Sequence, residues 1–184
     1  MKIFVISDTH GRIKKAVEVY KNLTDVDLMV HLGDYKRDAL DLESRLGVDT
    51  VFVEGNMDGS MTLESSSKII DTEYGKILIT HGHLENVKDG FENITSRCIS
   101  QGCKAVLFGH THRPLYEEKN GIYLLNPGSI SVPRDGSRGS YAIIHTSADR
   151  FRASVVYCDN KKSPSGSSQR GGYLKRLLNY SDRF

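Results

Sequence analysis

Apolar and polar residues fall in blocks along the chain, and the length and period of each block predict an element. KIFVIS, from Lys2 to Ser7, is an apolar run of strand length. Behind it Ile13, Val17, Val19 or Tyr20, and Leu23 recur at helical spacing. DLMVHLGD, Asp27 to Asp34, is a second apolar strand. Residues from about Lys36 to Leu46 then read as a helix, with Leu40, Leu42 and Leu46 apolar. DTVFVEGNMD, Asp49 to Asp58, is a third strand. Strands separated by helices predict a parallel α/β sheet.

The second half has a different rhythm. SKIID and KILITHGH flank the turn TEYG and read as a hairpin. A helix is expected from about Asn86 to Gln101, then the strand KAVLFGH. From Pro114 onward the pattern is nearly all strand: PLYEEKNGIYLLN with a turn at Asn120-Gly121, GSYAIIHT, and RFRASVVY. These strands predict a second, largely antiparallel sheet. The fold class expected is α/β, a two-sheet β-sandwich of mixed sheets flanked by helices. After Asp159, NKKSPSGSSQRGG is a linker by composition, and Leu174, Leu177 and Leu178 return at helical spacing. A domain over 1–159 is therefore expected, followed over 160–184 by a Ser/Gly-rich linker and a short C-terminal segment.

Composition changes this picture little. The 184 residues, 38% hydrophobic and 26% charged, suffice for one domain with a sizeable core. No apolar run nears the roughly 18 residues that cross a bilayer, and the opening run is too short for a secretory core, so no membrane association and a cytoplasmic location are expected. Cys98, Cys103 and Cys158 form no CxxC pair and read as free thiols in a reducing compartment. From Asn126 to Phe184 there are ten Lys/Arg against four Asp/Glu, and before that fifteen against nineteen. That bias suits a phosphate-bearing ligand but is too mild to argue for nucleic acid, except as a substrate.

The chemistry gathers at the strand ends. The apolar runs end in turn at Asp8-Thr9-His10, Gly33-Asp34, Gly55-Asn56, His81-Gly82-His83 and Gly109-His110-Thr111-His112. In open α/β sheets ligands bind outside those carboxyl ends. One such aspartate is well explained as a helix N-cap, and a lone histidine as a core residue. Five endings with metal-ligating side chains are not. Asp8, His10, Asp34, Asn56, His81, His110 and His112 are more groups than one tetrahedral ion uses, and suit two ions sharing a carboxylate. A nitrogen and oxygen set without thiolate suits manganese, iron, zinc or nickel without choosing among them; two divalent ions are expected, with manganese put first.

D-x-H, G-D, G-N-x-D, G-H and G-H-x-H, in this order, resemble the calcineurin-like metallophosphoesterases. With GNMD and NPGSIS the chain is most similar to their small bacterial and archaeal phosphodiesterase branch. The resemblance spans Asp8 to Ser131. It implies that Asp8, His10 and His112 hold one metal, that Asn56, His81 and His110 hold the other, and that Asp34 bridges. It also implies a hydroxide between the metals that attacks phosphorus, with Asn56 helping to orient the phosphate. Many relatives carry histidine after the asparagine as the leaving group's acid. Met57 stands there in this chain and has no proton to give. His83 is the candidate substitute, and Asp58 is expected to orient its loop. Asn126 and Ser129 are expected beneath the GHTH loop, Arg134 and Arg138 near substrate or in solvent, His31 in the core and His145 in a strand.

The expected activity is hydrolysis of a phosphodiester, with a phosphomonoesterase as the nearest alternative. A docking scaffold like the retromer subunit of this fold, which has lost ligands, is the alternative from another class. Strand edges and the C-terminal segment leave a homo-oligomer open.

Overall fold

The computed structural model describes residues 1–158, and the expected linker and C-terminal segment lie outside them. Five strands form each of two sheets. Along the chain run β1 (Lys2–Ile6), α1 (Lys14–Tyr20), β2 (Leu28–His31), α2 (Lys36–Leu46), β3 (Thr50–Phe52), a 3-10 turn (Asn56–Asp58), α3 (Leu63–Ser66), β4 (Ser67–Thr72), β5 (Gly75–Thr80), α4 (Glu92–Ser100), β6 (Ala105–Phe108), β7 (Pro114–Lys119), β8 (Ile122–Pro127), β9 (Ser140–Ser147) and β10 (Arg150–Tyr157). The first sheet has the order β10-β9-β1-β2-β3 and the second β4-β5-β6-β8-β7.

Alternation along β1 explains the layering. Ile3 and Val5 face the second sheet, where they meet Ile77, Ile79, Leu107 and Leu125 in one buried cluster. Phe4 and Ile6 face the other way, onto Ala16 of α1 and Leu42 of α2. The second sheet repeats the scheme, with Leu78, Val106 and Leu124 packed on Ile94 and Cys98 of α4. A strand buried on both faces reads as an unbroken apolar run, as KIFVIS does.

The sandwich agrees with the expected fold class, but its second sheet is less antiparallel than expected. β5, β6 and β8 run parallel at its centre, with β4 and β7 antiparallel at the edges. β9 and β10 join the first sheet instead, β9 pairing with β1 across Lys2↔His145 to Val5↔Ala142. α4 starts at Glu92, not near Asn86: Asn86 takes φ 55°, outside the helical region, and residues 83–89 form turns. Leu40 is 45% exposed, since α2 turns Asp38, Ala39 and Leu42 inward. Asn120 and Gly121 take φ 55° and 73°, as a tight hairpin turn requires. The three cysteines are free and buried.

Candidate metal centre

β1, β2, β3, β5 and β6 deliver their carboxyl ends to one rim of the sandwich, and all seven candidate ligands converge there. Asp8, His10, Asp34 and His112 each offer a ligand atom within 4.8 Å of the others. Asp8 is fully buried, and its Oδ1 faces His112 Nε2 at 3.2 Å. Asp34 divides its carboxylate: Oδ2 lies 3.6 Å from His10 Nε2, and Oδ1 lies 3.3 Å from His81 Nε2. On that second side His81 Nε2 is 3.1 Å from Asn56 Oδ1, and the His110 ring centroid is 5.1 Å from that of His81.

Backbone carbonyls set the histidine tautomers. His112 Nδ1–H donates to Val132 O at 2.6 Å, and His81 Nδ1–H donates to Leu32 O at 2.7 Å. Each leaves its Nε2 lone pair aimed at the centre. Nε2 of His112 then faces Asp8 Oδ1 at 3.2 Å, and that oxygen has no aligned hydrogen-bond donor. Buried acceptors facing acceptors are costly unless a positive charge sits among them. The donor set therefore fits two divalent ions, one on each side of Asp34.

The electrostatics agree. Burial works to raise the Asp8 carboxyl, but His112 and His81 hold it below its ordinary value. Burial works to lower His112, and Asp8 outweighs it, so His112 is raised. His10 is lowered by burial, against the pull of Asp34. His110 is pushed down to about 4 by burial, with His81 and Lys88 adding repulsion. The ionised Asp8 and the neutral His10 and His110 are in the states that ligate a cation, and His112 would give up the proton that Asp8 favours on binding one.

The loops are held in costly conformations. Asp8, His10, Asp34, His110 and His112 take φ of 53°, 46°, 55°, 64° and 57°, in the left-handed region. They pack closely enough that a Cβ on Gly109 would meet Ser7 Oγ, with Asp8 Oδ2 and Leu32 O both 3.1 Å away. Asn126 donates from Nδ2 to Gly109 O at 2.8 Å and Thr111 Oγ1 at 3.1 Å, bracing the GHTH loop as expected. Ser129 does not brace that loop. Its hydroxyl donates to Asp8 O at 2.7 Å and so holds the first loop.

Asp58 accepts from the backbone N–H groups of Tyr35, Lys36 and Gly55 at 3.1, 2.7 and 2.9 Å, tying the second loop to the third. His83 Nε2–H donates to Ser60 O at 2.9 Å, and its buried Nδ1 has no partner among the described residues. Met57 is 55% exposed, and its backbone N–H donates to Asp34 Oδ1 at 3.1 Å. Arg134 and Arg138 lie on the exposed loop after Val132, and His145 is on the exposed face of β9.

One element of the site escapes sequence reasoning. His31 is buried in the core, as expected, yet it is part of a relay. Gly33 N–H donates to its Nδ1 at 3.3 Å, its Nε2–H donates to Thr9 Oγ1 at 3.0 Å, and Thr9 donates to Asp38 Oδ2 at 2.6 Å. Asp38 also accepts from Gly11 N–H at 2.7 Å. The relay joins both sides of the first loop to the second. Its only sequence signal is a polar residue inside an apolar run.

The calcineurin-like phosphoesterase superfamily domain matches residues 1–149, and the chain belongs to that superfamily. It is 34% identical over 147 residues to the probable metallophosphoesterase YsnB of Bacillus subtilis, covering 78% of this chain and 83% of that one. It is 30% identical over 146 residues to the phosphodiesterase MJ0936 of Methanocaldococcus jannaschii, covering 70% and 83%. Among solved structures, a predicted phosphoesterase from Streptococcus pneumoniae superposes with a TM-score of 0.71 at 30% identity, over 89% of this chain and 93% of that one. Vps29 of Entamoeba histolytica with zinc shares the fold at a TM-score of 0.68 and 21% identity, over 85% and 98%. The protein is a metal-dependent phosphoester hydrolase.

Proposed function

We propose that the enzyme hydrolyses phosphodiesters at a two-metal centre in which Asp8, His10 and His112 hold one ion, Asn56, His81 and His110 hold the other, and Asp34 bridges. The observation that carries this reading is the division of Asp34, one oxygen toward His10 and the other toward His81. Two divalent cations, when bound, offset phosphate charge and make bound water acidic enough to supply hydroxide at neutral pH. The chain's own groups do the rest. Asn56 turns its amide oxygen to the centre and keeps its Nδ2–H groups for a phosphate oxygen. Asp58 keeps Asn56 in place through the three backbone donors it ties down. His83, with one ring nitrogen fixed on Ser60, is the proposed proton donor to the leaving group. Diesters are preferred to monoesters because a monoester dianion brings an extra negative charge beside Asp8 and Asp34, and because the related archaeal protein is named a phosphodiesterase. Manganese is the proposed ion, and the mixed imidazole and carboxylate set accommodates it as it does iron, zinc or nickel. The proposed setting is the cytoplasm, supported by the free cysteines; among the described residues no helix is long and apolar enough to cross a membrane.

Turnover of bis(p-nitrophenyl) phosphate and p-nitrophenyl phosphate, with added manganese, tests the preference. The diester is expected to be the faster, and a much faster monoester overturns the proposal. Asp34→Ala is expected to lose bound metal and activity while keeping its circular dichroism. Unchanged activity in that variant would overturn the proposed centre, and a parent that binds metal but turns over neither ester would favour a docking scaffold.

A further inference from the structure

Beside the metal centre lies a groove of about 520 Å³ that the hydrolytic scheme does not use. It opens on the His110–His112 side, since Thr111 is on its wall. Its floor and one wall are apolar: Pro114, Leu115 and the half-buried Phe91, whose ring centroid is 5.2 Å from that of Phe108 beneath it. Its rim is cationic. Lys88, Arg113 and Arg134 line it, all three exposed, and none has a carboxylate within 4.0 Å among the described residues. Among the residues that line the groove there is no acidic side chain. Lys88 is near enough to His110 to be felt there as repulsion, and Arg134 is felt at His10 and His112.

An apolar slot rimmed by three cations, of which Arg113 feels a nearby carboxylate, Asp135, is poorly matched to a plain alkyl group and to a cation. It matches a group that is flat and apolar in the middle and anionic at its far end. Resting on the diesterase reading, we infer that this groove is the specificity subsite of the enzyme, and that it takes the one ester arm of the substrate that carries an aromatic ring and a second phosphate. The scissile phosphate sits over the ligand cluster, the ring lies against Phe91 and Leu115, and the second phosphate reaches Lys88 and Arg113, with Arg134 between the two phosphates. The chemical class is a nucleotide-like diester, recognised by ring and terminal charge with no base-specific donor in the groove.

Two synthetic diesters isolate the second phosphate. Thymidine 5′-(p-nitrophenyl phosphate) and its 3′-phosphorylated form release the same leaving group and differ only at the far end. The parent enzyme is expected to have a lower KM for the 3′-phosphorylated diester. In K88Q/R113Q the ratio of the two kcat/KM values is expected to fall about tenfold or more, as losing even one charged hydrogen bond implies. Equal loss on both substrates overturns the inference, since a structural role would lower both alike. Calorimetry with thymidine 3′,5′-bisphosphate separates the subsite from the chemistry. If neither diester is hydrolysed, the diesterase reading fails, and the groove stands only if the parent binds the bisphosphate and K88Q/R113Q binds it more weakly by about tenfold or more. No binding by the parent overturns the groove whatever the turnover.

Discussion

Acid should destabilise this protein through His31, and the structure sets the size of the effect. The side chain is fully buried, and burial drives its pKa from the ordinary 6.5 down to about 4, against the pull of Asp38 and Asp8. Gly33 donates to Nδ1, so a proton added there has no acceptor. A histidine lowered in the folded state stays neutral while the unfolded chain takes up a proton. Nothing is lost above pH 6.5, and stability falls as pH drops from 6.5 toward 4. The shift corresponds to about 3 kcal/mol in full, of which roughly 2.5 kcal/mol is spent by pH 4.5. His110, pushed down to about 4, acts in the same direction, so the informative quantity is a difference between variants. Urea unfolding of chelator-treated parent and H31Q at several values between pH 7 and 4.5 measures it. H31Q should be weaker at pH 7 by about 1–2 kcal/mol, because an amide reproduces the relay imperfectly. Its acid slope should be shallower, so that the two stabilities converge or cross near pH 4.5. Parallel slopes would refute the reasoning and place the acid sensitivity elsewhere.

Three further outcomes are expected. H83Q should slow hydrolysis of diesters with alkyl leaving groups by about tenfold or more and leave p-nitrophenol release nearly unchanged; equal effects on both would remove His83 as the acid. Gly55→Ala should destabilise by about 1–3 kcal/mol and weaken manganese binding, since the new Cβ would meet the Asp34 backbone nitrogen and Oδ1 and lie 3.0 Å from its Cα; normal metal titration and thermal midpoint would contradict that packing. Asn126→Ala should cost about 2–4 kcal/mol in urea unfolding, because Gly109 O and Gly128 N–H lose their buried partner. A change below about 0.5 kcal/mol would show the brace to be dispensable.

The candidate ligands were legible because each follows an apolar run and most sit beside a glycine, so chain direction alone sends them to one rim. The sandwich was legible from the change of rhythm after Gly59. Pairing was less so: β9 lies next to β1 by contacts between residues about 140 apart in sequence, and no local pattern encodes them. The start of α4 was misjudged because apolar spacing does not register the backbone angle at Asn86 or the turns around it. The bond from Ser129 to Asp8 and the relay through His31 share that character. Each is a hydrogen bond between segments that only the folded sheets bring together. Of the groove, only Arg134 was noticed, because its other walls come from distant parts of the chain.

The left-handed backbone at Asp8, His10, Asp34, His110 and His112 sets the protein's durability against its use. Each such residue holds back about 1 kcal/mol that glycine would release. Variants chosen for thermal endurance alone would therefore gather substitutions at these five residues, in three loops, first. Heat-hardened descendants would keep both sheets and lose the catalyst, so any programme of stabilisation has to select for turnover at every round.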